Sequence, residues 1–135
     1  LIAAIEQLEA MGSCRSDLLV ALGPAVSGSN YQVQRQVSIQ IALGLGLAQQ
    51  YPGPVSPERA LEALRSCGAL RDDAQTGHDR LDIRAAAQYQ LELYGIPAGQ
   101  IALCPLCTLA EPLLFHSWRR DQVKAVQWSG IVSQA

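Results

Sequence analysis

Apolar and polar positions alternate along this chain in periods that change several times. In "LIAAIEQLEAMG" the residues Leu1, Ile5 and Leu8 recur at helical spacing, and Gly12 supplies a stop, so a helix is expected over 1–11. "SDLLVALGP" is a short, nearly continuous apolar run closed by Gly-Pro, the pattern of a strand buried on both faces. "YQVQRQVSIQIALGLGLAQQ" places Val33, Val37 and Ile41 on one helical stripe, with Gly44 and Gly46 weakening its second half. Ser29 or Asn30 would cap that helix. After the loop "YPGPVSP", Ser56 caps a further helix with Pro57 at its first position, Leu61, Leu64 and Cys67 inward, and Gly68 at its end. "RDDAQTGHD" reads as an exposed polar loop.

"LDIRAAAQYQLELYGIP" carries the strongest helical pattern. Ile83, Ala87, Leu91 and Tyr94 share a face, and Gly95 with Pro97 terminate it. "QIALC" reads as a strand. "PLLFHSW" and "VKAVQWSGIV" alternate as the two arms of a hairpin with "RRDQ" at its turn. The order α-β-α-α-α-β-β-β, without internal repeat or linker, predicts one α+β domain over 1–135, with helices packed on a layered mixed sheet.

Composition narrows the class. Of 135 residues, 49% are apolar and 16% charged, which suits a folded core rather than disorder. A net charge of -2 without a basic stripe gives no footprint for nucleic acid. The longest apolar run is too short to span a bilayer, and no secretory leader is visible, so no membrane association is expected. Four cysteines do not make a dense disulfide framework, and the expectation is a reduced, cytoplasmic protein.

The chemistry concentrates in "CPLCTLAEPLLFHSWRRD". Cys104 and Cys107 form a C-x-x-C, but with only His78, His116, Cys14 and Cys67 elsewhere there is no second ligand pair at zinc spacing. Small buried thiols are the simpler reading. His116 would share a strand face with Leu114 and Trp118, either as a satisfied core histidine or lining a cleft. Arg119 and Arg120, adjacent on a strand, would point to opposite faces, so only one could hold a phosphate or carboxylate; the other reading is a solvated turn with Asp121 as partner. Gly23 and Pro24 open a loop, "LGPAVSGSNYQV", that lacks the pattern of a Walker or dinucleotide motif.

Three segments together resemble one family. "LGPAVSGSNYQV", "HDRLDIRAAAQYQLELYGIPAGQI" and "CTLAEPLLFHSWRRDQ" are similar, in order and spacing, to the multicopper polyphenol oxidase (laccase-domain) proteins. These are also described as FAMIN-type purine nucleoside phosphorylases and as peptidoglycan editing factors. The resemblance implies that Cys107 and Thr108 match the family's Cys-Thr, and that Ser117, Arg119, Arg120 and Asp121 match its Ser-x-Arg-Arg-Asp. His116, Trp118 and Gln122 stand where Phe, Tyr and Gly are common.

The activity so implied is attack of phosphate on C1′ of adenosine, inosine, guanosine or methylthioadenosine, giving base and ribose 1-phosphate, together with adenosine deamination. Purine nucleoside and phosphate would be the partners. Ser117, Arg119, Arg120, Cys107, Thr108, Gly23 and Pro24 would form a substrate-binding wall, with Arg119 or Arg120 near the phosphate. Peptidoglycan-precursor hydrolysis, or a non-catalytic half-domain that pairs with a partner, are the alternatives; copper-dependent phenol oxidation ranks lowest. The family's zinc (or copper) centre uses one cysteine and two histidines upstream of the segment resembled by "LIAAIEQLEAMG", and those ligands are absent from this chain. The chain is therefore expected to be the C-terminal half of a laccase-domain fold, with an exposed apolar face through which it self-associates.

Overall fold

A computed structural model describes residues 1–46 and 53–132. Helix α1 spans Ile2–Ala10 and stops at Gly12, whose φ of 100° suits glycine. A single 3-10 turn over Arg15–Asp17 leads into strand β1, Val20–Leu22. The run expected to be one helix over 31–50 divides. Gln32–Gln34 form strand β2, and helix α2 covers only Arg35–Gly44, with Gln34 rather than Ser29 or Asn30 at its N-cap. The inward stripe moves accordingly: Ser38, Ala42 and Leu45 are buried, while Val37 and Ile41 are half-buried. The remainder of that expected helix, and the start of the "YPGPVSP" loop, lie outside the described residues.

Helix α3, Pro57–Ser66, follows its sequence signals. Ser56 Oγ accepts the Arg59 N–H at 3.3 Å, Pro57 opens the helix, and Ala60, Leu61 and Leu64 face inward.

The polar run 71–79 is not a loop throughout. It holds strand β3, Leu70–Asp72, the turn, and the start of strand β4, His78–Leu81. Asp73 Oδ1 accepts the Gln75 N–H at 2.8 Å, an Asx turn that closes the connection. Asp79 and Leu81 alternate inward at zero exposure, so the strand is amphipathic even though its inward set includes a carboxylate. Helix α4, Ile83–Leu93, is capped by Asp82, whose Oδ1 accepts from the Arg84 and Ala85 N–H groups. Its buried residues are Arg84, Ala86 and Leu91. Ile83, expected to face inward, is exposed.

After a 3-10 turn at Ala98–Gln100 comes strand β5, Ile101–Leu103. The hairpin expected over 112–132 is absent. Trp118–Asp121 form one helical turn, α5, Gln122 takes a left-handed φ of 53°, and residues 123–132 have no regular structure. The alternation there finds no strand to pair with, and alternation alone does not hold a hairpin in water.

The α+β class holds, with two small sheets. β1 and β5 pair in parallel, Val20 opposite Ile101 and Leu22 opposite Leu103. β2, β4 and β3 form an antiparallel sheet in that spatial order. One apolar cluster, around Leu64, Leu81 and Ala42, fills the space between α2, α3 and the antiparallel sheet. A smaller one joins Ile5, Leu91, Ile96 and Ile101 beneath the parallel pair. Helix α4 serves both, through Ala86 and Leu91. β1 is not buried on both faces: Ala21 is exposed and its neighbours are half-buried. Among the described residues no helix is long and apolar enough to cross a membrane.

Candidate active-site wall

The parallel pair β1–β5 runs on beyond its last ladder residues. The Cys104 N–H donates to the Leu22 carbonyl at 2.9 Å, Ala25 bridges Cys107, and the Thr108 N–H donates to the Ala25 carbonyl at 3.1 Å. The Gly23–Pro24 loop and the Cys107–Thr108 segment, far apart in sequence, thus lie side by side. Gly23 also receives the C-terminal segment: a Cβ there would stand 2.9 Å from Ser129 Oγ. A cleft of about 430 Å³ opens beside Gly23 and Pro24, with Leu103, Cys104 and Ser129 on its other walls.

Cys107 and Thr108 are both buried. The Cys107 Sγ accepts the Ser27 N–H at 3.3 Å and the Asn30 side-chain amide at 3.5 Å. Asn30 also donates to Ser27 Oγ at 3.1 Å. Burial opposes a charged thiol, but hydrogen bonds from Ser27, Asn30 and the Ala110 backbone outweigh it and bring the Cys107 pKa down to about 6. Cys107 is therefore more than a small core hydrophobe. Asn30 works as its donor and not as a helix cap.

Adjacent Arg119 and Arg120 diverge as expected, although the cause is a helical turn and not a strand. All five guanidinium donors of Arg120 are committed. Nη1 reaches the Thr108 and Leu109 carbonyls at 3.0 and 2.9 Å, Nη2 reaches the Phe115 carbonyl and Asp121 at 2.8 Å, and Nε reaches Asp121 at 2.7 Å. The Arg120 hydrogen bonds hold the Asp121 carboxyl below its ordinary pKa. Asp121 Oδ2 in turn accepts the Ser117 N–H at 3.3 Å, so Ser117 is tied to the same cluster. Arg119 instead lies over the Tyr31 ring, 4.5 Å from its centroid, and donates to the Gln32 carbonyl at 2.9 Å.

Gly23, Pro24, Cys107, Thr108, Ser117 and Arg120 therefore form one connected wall, and Arg119 stands to its side over β2. His116, Leu114 and Trp118 are exposed, so no buried histidine lies in this wall. The sequence reading missed Arg84 and Tyr31. Arg84 is buried in α4 and donates to the carbonyls of Cys104 and Leu106, pinning the segment that carries Cys107. A charged residue followed by an alanine run in a helix offers no sign that its guanidinium turns inward.

Cys104 and Cys107 are free thiols, His78 Nδ1 lies 3.2 Å from the Thr76 carbonyl, and His116 faces solvent. Among the described residues no group of three His, Cys, Asp or Glu side chains is placed to hold a metal ion. The donor set of the described residues does not fit a zinc or copper centre.

The model of a family described as multi-copper polyphenol oxidoreductase laccase matches residues 1–133. A purine nucleoside phosphorylase of Synechocystis is 39% identical over 96% of this chain and 48% of its own length. A purine nucleoside phosphorylase of Bacillus subtilis is 31% identical over 86% of this chain and 35% of its own length. The crystal structure of the hypothetical protein YfiH of Bacillus licheniformis superposes with a TM-score of 0.62 at 27% identity, covering 85% of this chain and 36% of that one. The chain spans about half the length, or less, of the curated relatives it matches.

Proposed function

The chain belongs to the multi-copper polyphenol oxidoreductase laccase family, and from that premise we propose that the protein carrying it cleaves purine nucleosides by phosphorolysis. In that reaction a phosphate oxygen bonds to C1′ of the ribose while the C1′–N bond breaks. The bonding pair leaves with the base, which takes up a proton, and the products are free base and ribose 1-phosphate. Relatives named purine nucleoside phosphorylase support this reading. The observation that carries it on this chain is the wall itself, in which Gly23–Pro24, Cys107–Thr108 and Ser117 are drawn together by β1–β5 and by Arg120.

The two arginines divide the work. Arg120, with every donor committed to protein oxygens, is a positioning residue that fixes the Thr108 and Phe115 carbonyls. Arg119 keeps donors facing outward beside Tyr31 and is the cation assigned to the phosphate, where it offsets negative charge as the glycosidic bond breaks. The Tyr31 ring orients that guanidinium. Adenosine deamination belongs to the same proposal as a second activity of the same pocket. The reaction needs groups beyond this wall, which this chain's relatives, being about twice its length or more, have room to supply.

The test uses a protein that contains this chain at the full length of its relatives. It is incubated with adenosine and phosphate and read by chromatography. Adenine and ribose 1-phosphate are expected, and Arg119→Ala should raise the apparent KM for phosphate by about tenfold, the worth of one charge-assisted contact of ~1.4 kcal/mol. Absence of adenine would refute phosphorolysis. An unchanged phosphate KM in the variant would remove Arg119 from the phosphate site.

A further inference from the structure

A separate cavity of about 170 Å³, not lined by Cys107, is bounded by the Ser27–Ser29 turn, by Gly68–Ala69 and by the β3–β4 hairpin. We propose that this cavity binds a tetrahedral oxyanion, inorganic phosphate or a phosphate monoester, through Arg71 and Arg80.

Arg71 and Arg80 are direct partners in the antiparallel β3–β4 ladder, so their side chains share a face and start about 5 Å apart at Cβ. Like charges placed directly opposite destabilise a sheet unless something neutralises them. Arg80 has its answer: its Nε contacts Asp73, a carboxylate only 3% exposed, and its Nη1 donates to the Ser29 carbonyl at 2.9 Å. Arg71 has none. Among the described residues its side chain makes no hydrogen bond and no ion pair, and Arg71 lines the cavity. One uncompensated positive charge therefore remains at a concave polar site.

The third charged group at the cavity, Asp82, does not cancel it. Its Oδ2 accepts the Gly28 N–H at 3.2 Å, and its Oδ1 accepts from Arg84 and Ala85 at 3.0 and 3.2 Å, with Arg84 Nε at 3.8 Å. That carboxylate is spent on holding the turn to the start of α4. The approach is so close that a Cβ on Gly28 would stand 3.0 Å from Asp82 Cβ. The same turn offers hydroxyls: Ser27 Oγ and Ser29 Oγ lie 3.0 Å apart, and either can rotate to donate to an anion. The Arg71 fork, the remaining Nη2 of Arg80 and an adjacent hydroxyl donor match the edges of a phosphate better than those of a spherical ion. At ~30 Å³ per water, a cavity of about 170 Å³ has room for about six waters, which suits a phosphoryl group with part of its hydration.

The site stands apart from the proposed phosphorolysis and is tested by binding, not by turnover. Inorganic phosphate and, separately, ribose 5-phosphate are titrated into the isotope-labelled protein at fixed ionic strength, and the amide signals of Ser29, Gly68, Ala69 and Arg71 are followed. Saturable shifts at these positions are expected. Arg71→Gln should weaken binding at least tenfold, Arg71→Lys should weaken it less, and Lys124→Gln should leave it unchanged. Tighter binding of inorganic phosphate would identify a free-anion site, and tighter binding of the sugar phosphate a monoester site. Shifts that do not saturate, an affinity untouched by Arg71→Gln, or an affinity that follows Arg119→Ala instead would overturn the proposal. The last of these would leave phosphorolysis standing.

Discussion

The antiparallel sheet β2–β4–β3 is covered by α2 and α3 around Leu64 and Leu81, both at zero exposure, whereas the parallel pair β1–β5 rests on one small cluster and leaves Leu103 38% exposed. More of the exposed large apolar residues belong with the second region than with the first. Leu19, Leu103, Ile131 and Val132 lie in or beside it, while the first region contributes Leu43 and Ile83. The difference separates two uses of apolar residues. In one region they hold the chain to itself. In the other they stay exposed to solvent. The candidate wall sits on the uncovered region and is held together by arginines binding carbonyl oxygens, where the covered region relies on packing.

The largest effect expected from this contrast is at Leu64. Leu64→Ala should destabilise the protein by roughly 2–5 kcal/mol, whereas Trp128→Ala, at a side chain 93% exposed, should stay within about 0.5 kcal/mol in denaturant unfolding. In sedimentation the order should reverse, with Trp128→Ala reducing concentration-dependent self-association. Equal losses of stability from both variants would break the contrast.

A smaller, local effect is expected at Arg120. Arg120→Ala removes the contacts that gather residues 108–121, and limited proteolysis between 109 and 117 should accelerate several-fold. Cleavage should hardly change near β3 and β4. A uniform acceleration over both regions would mean that the wall and the covered core unfold as one.

The smallest effect is confined to one thiol. With a folded pKa of about 6, below the ~8.5 of a free cysteine, Cys107 is mostly thiolate at neutral pH. Its alkylation rate should rise through pH 6, and Asn30→Ala should move that midpoint upward. The sign for stability follows: the contribution is fully present above the unfolded pKa and is lost as pH falls through about 6. A midpoint near that of an ordinary thiol in the unsubstituted protein would mean that Ser27 and Asn30 do not hold the thiolate.

The covered region was partly legible because its helices carry local signals. Ser56-Pro57 before α3, and Gly95 after α4, act through the backbone within one turn, and no distant residue is needed to read them. β2, β3 and β4 were not legible. Their inward positions are Val33, Leu70, Asp79 and Leu81, too sparse and too polar to stand out, and they become strands only because α2 and α3 cover them. The expected hairpin over 112–132 shows the converse failure, alternation without a partner. At the wall, the resemblance names Cys107, Thr108 and Ser117, and Arg120 with Asp121 links Thr108 to Ser117, but no pattern disclosed Arg84, whose guanidinium holds the Cys104 and Leu106 carbonyls. Gln122 is instructive: it stands where the resembled family commonly has glycine, and its φ of 53° shows the left-handed backbone that glycine adopts without strain.

The register of β1 against β5 also has a kinetic side. Val20 meets Ile101 across about eighty intervening residues, and the whole antiparallel sheet with its helices lies inside the loop which that pairing closes. Closing so long a loop costs only ~0.6 kcal/mol more than closing one half as long, but a three-residue parallel ladder repays nothing until it has closed. The β3–β4 hairpin, with its five-residue turn, meets no such delay. The long-range part of the candidate wall, Gly23–Pro24 against Cys107–Thr108, is therefore expected to close after the β3–β4 hairpin has formed.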